Sequence, residues 1–175
     1  MATVESFWEV AAGAALRQGE YLVNCPVPML KEKPLLDRPE SSVLIELFDL
    51  IIVTQSCDLE QGKVRIVTSC PIFPLDVYET INPELKSKGR WEQVRKGRVE
   101  GLYLLSSPVF PDNNREALVV DFAEVYSLPF GLLASHAQEI GSHWRLKSPY
   151  LEHFSQAFAR FFMRVGLPSS IPPYR

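Results

Sequence analysis

The chain has 175 residues, 46% of them hydrophobic and 22% charged, with a formal charge of −3. That length suits one domain with a substantial core, and the apolar runs fall well short of the roughly 18 residues of a membrane span. An acidic whole excludes nucleic-acid binding by the overall field and leaves only a local basic face. Three cysteines, Cys25, Cys57 and Cys70, form no CxxC or CxH cluster, which argues against a disulfide framework and a zinc knuckle.

In chain order, Val4, Phe7, Trp8, Ala11 and Ala15 recur at helical spacing behind Thr3, predicting a helix over 1–18. Glu5 and Glu9 lie among these apolar residues and no basic leader precedes them, so the segment reads as an amphipathic helix rather than a secretory signal, and the expected compartment is the cytoplasm. Gly19 ends the helix, and EYLVNCPV reads as a strand. The four prolines between Pro26 and Glu40 predict a long loop, after which SSVLIELF resumes a strand pattern. Leu50 to Val53 is apolar at every position, as in a strand buried on both faces, whereas KVRIVTSC alternates. The intervening Glu60-Gln61-Gly62 predicts a hairpin between them.

Residues 76–98 turn helical and charged, and GLYLLSS, ALVVDF and AEVYSLP add three more strands, about seven in all. A closing helix over 148–166 starts at Ser148 and Pro149. It carries the apolar stripe Leu151, Phe154, Phe158, Phe161, Phe162 and Val165, and stops at Gly166 and Pro168, leaving a tail over 167–175. The expected fold is a single α+β domain over 1–175. Its core is a small, strongly curved antiparallel barrel over 19–130, with the helical insertion at 76–98 and helices near both termini.

Three groups of residues invite a chemical reading. The polar turn Thr54, Gln55, Ser56, Cys57 and Asp58 places a thiol where a nucleophile could act, given a neighbouring base. The blander expectation makes Cys57 a small buried hydrophobe and Asp58 a turn cap. His136, His143 and His153 have no short metal spacing, so no metal site is expected, although His153 could orient towards Cys57. The stretch Lys86, Lys88, Arg90, Trp91, Arg95, Lys96 and Arg98 is the best phosphate-binding candidate, with Trp91 as a stacking platform. The alternative is a solvated helix with locally paired charges and a packed Trp91.

The layout resembles the small toxin barrels of the MazF, PemK and CcdB type, which are SH3-like, as a divergent bacterial member. Gly19 and Glu20 match the GD or GE dipeptide that opens the first strand of those proteins. Thr54 to Asp58 match the polar turn after the second long strand, Thr68 and Ser69 match the Thr or Ser after the third, and Val119 to Phe122 match a short strand with an acidic residue. The segment SPYLEHFSQAFARFFMRVGLP also looks like the ending of bacterial proteins that carry a TQxCD-like turn. The resemblance implies an endoribonuclease in which an arginine, here Arg38, works with Thr68 and Ser69 on one phosphate. Yet Phe48 and Asp49 stand where the ribonucleases carry Arg-Pro before the buried strand, and the nearest such pair is Arg38 and Pro39. The leading expectation is therefore a non-catalytic binding or interaction module for a protein partner or RNA, with no cofactor and no membrane. Homodimerisation through an exposed strand edge fits the same picture. The endoribonuclease and a Cys57-dependent enzyme are the alternatives.

Overall fold

The computed structural model describes residues 6–30 and 43–163. Eight strands and five helices follow in the order β1 (Trp8–Ala12), β2 (Glu20–Leu30), β3 (Val43–Ile52), α1 (Ser56–Glu60), β4 (Ile66–Pro74), α2 (Leu75–Ile81), α3 (Arg90–Arg95), β5 (Leu102–Leu105), β6 (Leu118–Asp121), β7 (Tyr126–Pro129), α4 (Phe130–Ile140), β8 (Ser142–Leu146) and α5 (Tyr150–Phe162). The strands form one antiparallel sheet in the order β1-β8-β2-β3-β4-β6-β5, with β7 also paired to β4. The α+β class holds. The sheet stays open, with β1 and β5 at opposite ends of the strand order, so the barrel closure expected over 19–130 does not occur.

The alternation of side chains along the central strands divides the core. Leu50 and Ile52 of β3 join Leu22, Val67 and Leu128 on one face, where α4 covers them with Leu133 and Ala137. Ile51 and Val53 join Tyr21, Cys70, Ile72 and Phe122 on the other, beneath Phe154 of α5. Past Cys70, Phe73 meets a third cluster, in which Val119 packs on Leu75, Tyr78 and Leu85 of the insertion. The apolar run at Leu50–Val53 is thus buried on both faces as expected, with exposures between 0% and 5%.

Several expectations need correction, the first being the proline loop, since Pro26–Leu30 continue strand β2 and the rest of that loop, residues 31–40, lies outside the described set. The residues read as part of an N-terminal helix over 1–18 include strand β1, which pairs with β8 from Trp8↔Leu146 to Ala12↔Ser142, and residues 1–5 lie outside the described set. The helical spacing of Trp8 and Ala11 is overridden by tertiary pairing: the ladder satisfies the backbone, and the Trp8 indole donates to the Ser106 carbonyl at 2.7 Å. The link from β3 to β4 is no tight hairpin, because the helix α1 occupies the chain between them. The segments read as separate strands around Phe48 form one strand, β3, and an unforeseen helix–strand pair, α4 and β8, follows β7. Helices occupy the insertion, and the closing helix runs between Tyr150 and Phe162, while its expected end at 166 and the tail over 167–175 lie outside the described residues.

Two local devices shape the region around β2. At Leu22/Cys25 its register slips, and Asn24 adopts φ +52° there. The Asp49 carboxylate holds this bulge, accepting from the Asn24 amide at 2.8 Å and the Tyr21 hydroxyl at 2.9 Å. Gly19, at φ +80°, leads into β2; a Cβ there would lie 2.7 Å from Leu151 Cδ1 and 3.1 Å from Leu146 Cβ, so only glycine lets α5 approach so closely.

The packing under α5 makes Phe154, with no exposed surface, its anchor, whereas Phe158 is partly exposed. Phe154→Ala should therefore cost about 3–5 kcal/mol in urea unfolding, and Phe158→Ala clearly less. A Phe154→Ala loss below about 1 kcal/mol would place α5 off the sheet.

Candidate functional site

A cleft of about 670 Å³ opens beside the edge strand β5, between α3 and α5. Strand β5 shares its two faces between the clusters under α5 and under the insertion, so helices from both layers meet around its edge. Arg95 and Lys96 stand at the end of α3, His153 and Arg160 on α5, and Tyr103, Phe122 and Phe161 supply aromatic surface. Phe7 stacks on Tyr150 at a centroid distance of 3.8 Å beside them. Gly101, at φ +84°, keeps the chain close to Phe161, whose ring carbon would lie 3.2 Å from an added Cβ.

The basic stretch is thereby resolved into parts. Lys86, Lys88, Arg90, Arg95, Lys96 and Arg98 are all exposed, and three carboxylates share residues 84–100 with them. This segment carries a net +3 while the whole chain carries −3, so the remainder holds −6. Some of that charge is compensated locally: Arg95 and Lys96 both pair with Glu92, at 2.7 and 3.2 Å, and their hydrogen bonds hold its carboxyl down at about 2. Arg98 donates to Gln93. Trp91 is half-buried against Tyr78, with its indole donating to Glu79 at 2.7 Å, so the aromatic surface of this region comes from β5 and α5 instead.

The other nominated residues sit elsewhere. In the polar turn, Thr54 Oγ1 accepts from the Thr68 amide at 2.7 Å and the Ser56 hydroxyl accepts from the Gln18 amide, so both hydroxyls tie backbone together. Cys57 is exposed, which corrects its expected burial: Leu59 is the buried residue of α1, and the helix turns the thiol outward. The thiol lies 3.7 Å from Gln55 Oε1, an amide oxygen that cannot serve as a base at neutral pH. His153 lines the cleft under α5, whereas Leu59, from the helix of Cys57, packs into the cluster under α4, so the two residues do not meet.

Thr68 and Ser69 are neighbours on β4 and therefore point to opposite faces of the sheet. Ser69 has no exposed surface, so the strand does not present both hydroxyls to one phosphate. Arg38 and Pro39 lie outside the described residues. Asp121 is structural, accepting from the Tyr78 hydroxyl at 2.6 Å and from the Ala123 amide. Among the described residues no group of three or more His, Cys, Asp and Glu could hold a metal ion, and no helix is long and apolar enough to cross a membrane.

Sequence reasoning missed Tyr103, Tyr150, Gln156 and Arg160 as cleft residues. The signal was present on α5, where His153, Gln156, Ala157 and Arg160 recur at three- and four-residue spacing beside the apolar stripe. It also missed a buried ionic group at the other end of the sheet. Glu20, 1% exposed, lies 3.1 Å from His143 Nε2 and 3.6 Å from the Arg145 guanidinium, which also binds Glu9 at 2.7 Å. The His143 approach is close in distance but off the line of a good hydrogen bond, and the Arg145 guanidinium stands by the other carboxylate oxygen. These residues are far apart in the chain, and no local pattern announces them.

The cysteines yield two measurable consequences. A thiol reagent should modify one cysteine per folded chain, Cys57, and all three after unfolding, with Cys57→Ser removing the native reaction; labelling of Cys25 or Cys70 at the same rate would contradict their burial. Burial first, and then Asp49 for Cys25 and Asp121 for Cys70, push both buried thiols up to about 12 from about 9. The folded state therefore favours the protonated thiol, a contribution fully present below about pH 9 and lost as pH rises towards about 12. Urea midpoints followed from about pH 7 to about pH 11 should fall over the upper part of that range, less steeply in Cys25→Val.

No family model matches the chain, nor does any curated protein or solved structure.

Proposed function

We propose that this protein is a non-catalytic binding module that takes single-stranded RNA into the cleft beside β5. One observation carries the reading: cations from two parts of the chain, Arg95 and Lys96 at the end of α3 and Arg160 on α5, line the same cleft as the aromatic residues Tyr103, Tyr150 and Phe161. Phosphates seek the first and unstacked bases the second, and base–aromatic stacking contributes about 1–3 kcal/mol per base. The segregation of +3 onto residues 84–100 of an acidic chain supports it, because it concentrates attraction for a polyanion in the segment that ends at the cleft. Kinship with the toxin barrels belongs to the same proposal. Its support is the Gly19-Glu20 opening of β2 and the antiparallel β3–β4 pair that follows, on a sheet that has remained open. The amide neighbour of Cys57 and the opposed directions of Thr68 and Ser69 favour binding without cleavage over either enzymatic alternative.

The test is fluorescence anisotropy with a labelled mixed-sequence single-stranded RNA across salt, with cleavage of the same pool followed on gels. Affinity should fall as salt rises, and Arg95→Ala/Lys96→Ala/Arg98→Ala should flatten the log–log slope by roughly 2, at about 0.7 for each phosphate no longer neutralised. Arg160→Ala should weaken binding through the opposite wall. Absence of binding at low salt, or binding indifferent to both variants, would refute the cleft, and hydrolysis abolished by Arg38→Ala would restore the ribonuclease reading.

A further inference from the structure

Beyond the Asp49-held bulge, the far ends of β2 and β3 leave the body of the sheet as a two-stranded ribbon. Cys25–Leu30 pairs with Val43–Phe48, while β8 borders β2 only at Glu20 and Tyr21 and β4 borders β3 only from Leu50 to Ile52. One face of this ribbon is apolar throughout: Pro26, Pro28 and Leu30 stand opposite Leu47, Ile45 and Val43. The exposures are large, 76% for Leu30, 62% for Ile45 and 65% for Leu47. Among the described residues no strand pairs with the outer edge of Val43–Leu47, and such a surface is what folded proteins ordinarily blunt.

The prolines fix which edge is available. Proline has no N–H, so Pro26 and Pro28 cannot belong to the antiparallel pairs that exchange two hydrogen bonds. Their partners Leu47 and Ile45 must therefore turn their N–H and C=O groups away from β2, onto the outer edge of β3, and Val43 follows in phase. For the same reason the outer edge of β2 lacks donors at 26 and 28 and cannot extend the sheet.

We propose that Val43–Leu47 is a self-association site, pairing antiparallel with the same segment of a second copy about a twofold axis at Ile45. Ile45 then meets the partner's Ile45, Val43 meets the partner's Leu47, and all three residues carry the outward groups that such a ladder requires. Glu46, the one charged residue of the segment, falls opposite the partner's Leu44 rather than its own counterpart. The pairing is isologous and, with the β2 edge blocked, closes at two copies instead of growing into a fibre. Five ladder residues per copy, at the roughly 30–40 Å² per residue of ordinary interfaces, bury roughly 300–400 Å² in total, which sets a weak, concentration-dependent dimer rather than an obligate one. The site lies away from β5 and is independent of the RNA reading.

Sedimentation velocity of the full chain from roughly 1 to 200 micromolar should show monomer passing to dimer, the behaviour of a dissociation constant in the micromolar range. Ile45→Lys should abolish the dimer. Ile45→Pro should abolish it too while leaving the thermal midpoint of the monomer nearly unchanged, because the amide it removes faces outward. In a Cys57→Ser background, Ile45→Cys should oxidise to a linked dimer, since directly paired Cα atoms about 5.5 Å apart suit a disulfide, whereas Val43→Cys should not. Arg160→Ala should leave the dimer intact. A chain monomeric throughout, a dimer that survives Ile45→Lys, or cross-linking through Val43→Cys but not Ile45→Cys would overturn the proposal, the first pointing to a different protein as the ribbon's partner.

Discussion

The carboxylate of Asp49 governs the architecture more than any other single group. By accepting from the Asn24 amide and the Tyr21 hydroxyl it stabilises a bulge that shifts the register of β2 by one residue relative to β3. Without that slip the inward and outward sets of β2 would exchange beyond Leu22, sending Cys25 and Val27 out of the core they occupy under α4. The bulge also increases local twist, consistent with the point at which β2 and β3 part from β8 and β4. Beside it Phe48 packs on Tyr126, so at this point of β3 one side chain serves packing and the next is committed to the backbone.

Much of the fold was legible where a periodicity is long and uninterrupted. The apolar run at Leu50–Val53, the charged insertion and the stripe from Leu151 to Phe162 each fix their own element, because burial of that pattern has one solution. The segment around Trp8 was misread because its apolar spacing satisfies a helix locally, while the deciding partner, β8, lies more than 130 residues away. Helix α4 passed unread although Leu133, Ala137 and Ile140 recur at helical intervals before Gly141, a stop signal masked by the strand-like SLPF ahead of it.

The candidate site was half legible for a related reason. Charge density is a local property, and the six cations of residues 86–98 announce themselves. What makes a cleft of them is α5, which arrives from the far end of the chain with Arg160 and His153 and with an aromatic neighbour in Tyr150. Trp91 shows the converse: the tryptophan inside the basic stretch is committed to packing and to Glu79, so proximity in sequence misidentified the stacking surface. Cys57 likewise drew attention through its setting in the chain, but a thiol acquires chemistry from its neighbours in space, and its near neighbour is an amide.

That same bond between Trp91 and Glu79 gives the molecule an optical reporter. Of the three tryptophans, Trp8 is buried under α5 and Trp144 is partly buried beside it, while Trp91 alone belongs to the helix that forms one wall of the cleft. Its ring meets Tyr78 edge-on and its N–H is held by a carboxylate that also faces Arg115 at 3.8 Å. Any displacement of α3 alters the polarity and hydrogen bonding of that one indole, so the emission of this tryptophan carries information about the cleft that the other two do not.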